Sequence, residues 1–104
     1  MKEIQKKILS FRDERDWKKY HNEKDLAISI SLEASELLEN FQWKTTEEAL
    51  AESRENIKDE IADILIYLIQ LADKMDINID EEVTRKLIKN AEKYPVKKKE
   101  ETVK

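Results

Sequence analysis

A chain of 104 residues is the size of one small domain. Its net charge of −4, with 42% charged residues, describes a well-solvated surface and excludes a basic nucleic-acid footprint. The absence of glycine excludes a Walker-type phosphate loop or a GxGxxG turn, and the absence of cysteine excludes disulfides, thiolate zinc sites and cysteine nucleophiles.

The abundance of Glu, Lys, Leu, Ile and Ala, with a single proline, favours helices over sheets. A first helix is expected from Met1 to about Lys19, with Ile4, Ile8 and Phe11 on one stripe and Trp17 and Tyr20 at its end. His21 to Lys24 reads as a connection in which Asn22 can cap the next helix. That second helix spans about Glu23 to Phe41. Its start alternates like a strand, but the spacing of Leu26, Ile30, Glu33, Leu37 and Phe41 settles it as helical.

A break at Asn40–Lys44 carries Phe41 and Trp43, and Thr45 with Glu48 forms a capping-box pattern. Polar helix follows, interrupted near Ser53, and leads into a central helix reaching about Lys74. Asp76–Asn78 is the next connection. Asn78 caps a last helix running to about Tyr94, and Pro95 ends it. One domain over 1–95 and a disordered tail over 96–104 are expected.

The fold class expected is all-α, a bundle of four to five helices. The second and central helices are apolar over more than one face, which so small a domain cannot cover, so a homo-oligomer is expected, with a symmetric dimer as the minimal case. The N-terminal MKEIQKKILS lacks a signal-peptide apolar segment, and the run IADILIYLIQLA is too short to span a bilayer. A cytoplasmic protein without membrane or nucleic-acid partners is the expectation.

Asp63 is the only charge in the twelve residues from Ile61 to Ala72. Glu60 precedes it by three, and Glu33 and Glu36 stand three apart among apolar neighbours. Residues three apart share a helix face. If the two faces meet, four carboxylates converge where water is scarce, and a divalent cation makes that tolerable. Oxygen donors without histidine suit Mg²⁺ or Mn²⁺. A di-iron bundle needs Glu-x-x-His pairs, and His21 lies outside both acid pairs. Taken singly, each of these acids would be a solvated helix charge, and Trp17 and Trp43 would as readily be ordinary core or dimer-interface residues as pocket residues.

These residues carry a resemblance. Glu33-x-x-Glu36 followed by Glu60-x-x-Asp63 resembles the metal motif of the MazG-like, all-α nucleoside triphosphate pyrophosphohydrolases. FRDERDWKKYH, ELLENFQWK, DEIADILIYLIQLAD and the ending Lys86-x-x-x-Asn90 with Tyr94-Pro95 are similar to the dCTP pyrophosphatase branch, over roughly Phe11 to Pro95. The resemblance implies a dimeric or tetrameric helical bundle that uses Mg²⁺ to hydrolyse a nucleoside triphosphate, dCTP or a modified dCTP among them, to monophosphate and pyrophosphate. It implies metal binding by Glu33, Glu36, Glu60 and Asp63. Trp17, His21, Trp43 and Tyr67 would line the substrate pocket, and Lys86 and Asn90 would lie near the phosphates. Ile8 stands where some members of that branch carry a histidine, and Leu32 where some relatives carry a further glutamate. Of the acids, Glu36 and then Glu33 are the candidates to activate water.

A pool-balancing or house-cleaning pyrophosphohydrolase is thus the favoured function. The rival is a non-enzymatic helical dimerisation module whose carboxylates pair with Lys or Arg across an interface.

Overall fold

The polar residues that punctuate the chain decide where its helices start. In the computed structural model, which describes residues 2–97, the side chain of Asn22 accepts from the Asp25 amide at 2.7 Å and opens α2 (Glu23–Glu39). Thr45 and Glu48 form a reciprocal capping box that opens α3 (Thr46–Glu52), with bonds of 3.1 and 2.8 Å. Asn78 accepts from the Glu81 amide at 3.0 Å and opens α5 (Ile79–Lys93). Between them lies α4 (Arg54–Lys74), set off from α3 by Ser53, whose φ of −121° breaks the helical run.

The first helix is shorter than expected. α1 (Lys2–Glu14) stops five residues before Lys19, and a separate single turn follows at Lys18–Tyr20. Asp16 takes a left-handed conformation, φ 58°, while the Trp17 amide reaches back to the Arg12 carbonyl at 3.1 Å and the Asp16 amide to Asp13 at 3.0 Å. This is a Schellman ending with aspartate in the place glycine usually fills. The same device ends α4, where Asp76 has φ 53° and the Ile77 amide bonds to the Ala72 carbonyl at 2.9 Å.

The described residues contain five α-helices and no strand, the all-α architecture expected. The expected tail over 96–104 lies outside the described residues from position 98 onward.

α4 is the central element. α2 runs along it as the main helix pair, α1 packs against another part of it, and α3 touches its beginning. Leu26, Ala49, Ile57 and Ile69 are the only buried apolar residues among those described, a thin core for three packed helices. Ile28, Leu32 and Leu38 on α2, with Ile61 and Leu68 on α4, are exposed. α5 buries none of its residues and exposes Val83, Leu87 and Ile88.

One polar link ties α1 to the end of α4. Arg12 is 3% exposed and donates from one terminal nitrogen to Asp73 at 2.8 Å and from Nε to Asp13 at 2.9 Å. Burial works against its charge, but the hydrogen bonds to Asp73 and Asp13 prevail and raise the guanidinium pKa above its already high ordinary value.

Candidate active site

α4 carries Asn56, Glu60, Asp63, Tyr67 and Gln70 at intervals of four, three, four and three. That spacing keeps them on one stripe, about 21 Å long at 1.5 Å per residue. The pairing of α2 with α4 sets Glu33 and Glu36 against its middle.

Carboxylate oxygens of Glu33, Glu36 and Glu60 all lie within 4.8 Å of one another. Glu60 is buried, Glu33 half-buried and Glu36 exposed. One oxygen of Glu33 and one of Glu60, both Oε2, are enclosed without a hydrogen-bond partner. Glu33 is pushed up to about 8, first by hydrogen bonding with Glu60, then by burial, then by Glu36. Three acids this close cannot all be ionised cheaply, so the protein by itself retains a proton among them.

The donor set fits a hard divalent cation. It offers oxygen alone, and two of its atoms are enclosed with no partner in the protein. No Lys or Arg forms an ion pair with Glu33, Glu36 or Glu60 among the described residues.

Asp63 is not in this group of three. One turn after Glu60, it is half-buried and lines a cavity of about 400 Å³ between α1 and α4. Ile8, Phe11, Trp17, Ile66 and Tyr67 give the cavity largely apolar walls, and Arg12, His21 and Gln70 add polar groups. Phe11 meets the Trp17 ring edge-on at 5.8 Å, and Arg15 stacks over Phe11 at 3.5 Å, which steadies the Trp17 wall. On the other side of the carboxylates a polar depression of about 330 Å³ shares Glu36 and Glu60 and is edged by Lys44, Ser53 and Asn56.

Thus the structure joins Glu33, Glu36 and Glu60 in one cluster, and Trp17, His21, Asp63 and Tyr67 around one adjoining cavity. It leaves three candidates apart. Trp43, 94% exposed at a left-handed φ of 65°, touches neither the cavity nor the cluster. Lys86 and Asn90 sit on α5, and neither lines the cavity.

Arg12 and Gln70 were not singled out by sequence reasoning. Gln70 hides in a run of apolar residues, and its one signal is that it follows Asp63 by seven positions, two turns on the same face. Arg12 carries no such signal within α1.

A model of the MazG-like family matches residues 28–104. The dCTP pyrophosphatase 1 of Bos taurus is 34% identical over 101 residues, covering 92% of this chain and 60% of its own length. That of Homo sapiens is 32% identical over 100 residues, covering 91% and 59%. The chain therefore spans less than two thirds of the curated relatives it matches. Among solved structures, a pyrophosphatase from Archaeoglobus fulgidus superposes with a TM-score of 0.83 at 47% identity, covering 92% of this chain and 93% of the other. The match of fold and sequence over most of its length shows that this chain belongs to the MazG-like family.

Proposed function

We propose that the chain is a divalent-metal-dependent nucleoside triphosphate pyrophosphohydrolase, releasing a nucleoside monophosphate and pyrophosphate. One observation carries this reading: a cluster of three acids with two unpartnered enclosed oxygens beside an aromatic-walled cavity. The dCTP pyrophosphatases and the archaeal pyrophosphatase it resembles support the same chemistry.

Glu33, Glu36 and Glu60 would hold the cation, with Asp63 reaching it from the cavity rim. When bound, Mg²⁺ or Mn²⁺ supplies charge neutralisation for the triphosphate and Lewis-acid polarisation at the α-phosphate. Glu36, the exposed acid of the group, would take a proton from the attacking water. Water adds to the α-phosphorus, the bond from that phosphorus to the α,β-bridging oxygen breaks, and the electron pair leaves with pyrophosphate. Trp17 and Tyr67 form the walls against which a base stacks, and His21 closes the same cavity. The favoured base is cytosine or a 5-substituted cytosine on a deoxyribose.

The second copy belongs to this proposal. The exposed apolar residues of α2, α4 and α5 support a homodimer or homotetramer. Trp43, Lys86 and Asn90 would then meet the site from a neighbouring chain, Trp43 toward the base, Lys86 and Asn90 toward the phosphates. The dimerisation-module alternative needs Lys or Arg of a second chain to meet the clustered acids, and predicts no metal-dependent turnover. No helix among the described residues is long and apolar enough to cross a membrane, and a cytoplasmic house-cleaning role fits the reading.

The test is incubation of the full chain with the canonical and 5-substituted deoxynucleoside triphosphates, with Mg²⁺ and with chelator. Monophosphate and pyrophosphate in equal amounts, only with metal, are expected. Orthophosphate as the product, or no turnover of any substrate, would overturn the reading.

A further inference from the structure

We propose that Gln70 is the specificity-determining residue of the α1–α4 cavity, donating a hydrogen bond from Nε2 to an acceptor atom on the edge of the nucleobase seated there. The inference rests on the nucleotide reading above and assigns a role that the acid cluster and the aromatic walls leave unfilled.

Gln70 is 4% exposed, lies between Ile69 and Leu71, and lines the cavity. A buried amide left unsatisfied costs about 1–3 kcal/mol, so each of its ends calls for a partner. One end has one. Nδ1 of His21 lies 3.2 Å from Oε1 of Gln70, a hydrogen bond in the tautomer that carries its proton on Nδ1. That bond fixes the amide plane and the histidine tautomer together.

The other end is uncommitted. None of the hydrogen bonds among the described residues uses Nε2 of Gln70. Nor is Nε2 one of the enclosed unpartnered atoms, which among the described residues are Oε2 of Glu33 and Oε2 of Glu60. An atom without a partner that is not enclosed opens onto the cavity its residue lines.

Of the charged groups that line the cavity, Lys7 is an exposed side chain of α1, and the other two are committed or stand apart. Each nitrogen of Arg12 faces a carboxylate, Nε and one terminal nitrogen toward Asp13 and the other toward Asp73. Asp63 stands two turns back, about 10 Å along the helix, beside the carboxylate cluster. A triphosphate held at that cluster therefore directs its base toward Gln70. Stacking against Trp17 and Tyr67 accepts any base, because every base has a π-face. A fixed donor discriminates, because a base without a matching acceptor leaves a buried N–H unpaired.

Two substitutions test this. Gln70→Glu keeps the shape and the acceptor for His21 but presents an oxygen where the amide presented hydrogens. Gln70→Met keeps the length and removes the donor. The measurements are kcat/KM for dCTP, dTTP, dATP and dGTP with Mg²⁺, and calorimetric binding of the four monophosphates in chelator. In Gln70→Met the ratio between best and worst substrate is expected to shrink about ten-fold or more, mainly through KM. In Gln70→Glu the order of the four is expected to change, and monophosphate binding should follow the same pattern in each variant. A uniform loss across all four bases, or unchanged ratios, would overturn the assignment. If Gln70→Met does not fold, the order of bases in Gln70→Glu decides alone. If the parent protein hydrolyses none of the four, the nucleotide reading fails and this inference with it. A parent that hydrolyses them while both variants keep its ratios removes only Gln70.

Discussion

Oε2 of Glu33 on α2 and Oε2 of Glu60 on α4 are each enclosed without a hydrogen-bond partner, and the two side chains share one carboxylate cluster. The two helices that make the main interface of the fold thus meet over neighbouring carboxylates, and that closeness raises the Glu33 pKa.

A pH dependence follows. Glu33 is raised from the ordinary carboxylate range to about 8, so the folded state binds its proton more tightly than the unfolded chain does. Stability from this group is full below the unfolded value and falls as pH rises through the window up to about 8. Melting curves without divalent metal should show that decline, and saturating Mg²⁺ should flatten it. At pH 7, metal binding should release protons, seen as a calorimetric enthalpy that changes with the buffer's ionisation enthalpy.

Asp63 allows a sharper test of the metal proposal. Asp63→Asn should be at least as stable as the parent in chelator, should lose most of the stabilisation given by added Mg²⁺, and should turn over substrate at least about a hundred-fold more slowly. Glu60→Gln should behave alike. A full Mg²⁺ shift in Asp63→Asn, alongside lost turnover, would place Asp63 in the cavity wall only.

Arg12 predicts an asymmetry between its two partners. Asp73→Ala strips a nearly buried cation of a partly shielded carboxylate and should cost about 3 kcal/mol. Asp13 is well exposed, and Asp13→Ala should cost under about 1 kcal/mol. Urea titrations of the two variants check the difference. Equal costs would mean that the α1–α4 link is not carried by Asp73.

The proposed assembly gives a complementation test. Trp43→Ala and Glu60→Gln should each be nearly inactive, yet refolding them together should restore roughly a quarter of the parental rate in a symmetric dimer. Each hybrid then holds one site with both residues intact. Light scattering that shows a well-folded monomer at micromolar concentration, or hybrids without activity, would remove the second copy from the proposal.

The residues that start helices were legible because each acts on its own backbone. Asn22, Thr45 with Glu48, and Asn78 cap as their spacing indicates. The end of α1 was not legible, because an aspartate does the work of the glycine that would mark it. The acids at 33, 36 and 60 could be grouped from spacing and hydropathy, since a buried charge stands out against an apolar run. Asp63 shares that pattern but faces the cavity, because a three-residue step turns it about 60° around the axis from Glu60. Gln70 escaped notice because an uncharged amide barely disturbs an apolar run, and only its burial beside His21 reveals it. Trp17, His21 and Tyr67 do share a cavity, whereas Trp43 stands outside it in the single chain.

A chain without glycine must make its left-handed turns from other residues, and among the described residues two are aspartates and one is Trp43. For an aspartate that conformation is tolerable. For a bulky aromatic it stores about 1–2 kcal/mol. Trp43→Asn should release part of that strain and raise the melting temperature, while depressing turnover. Position 43 is then a place where selection for thermal robustness and selection for activity pull in opposite directions, and a library screened for heat resistance alone would be expected to discard the indole first.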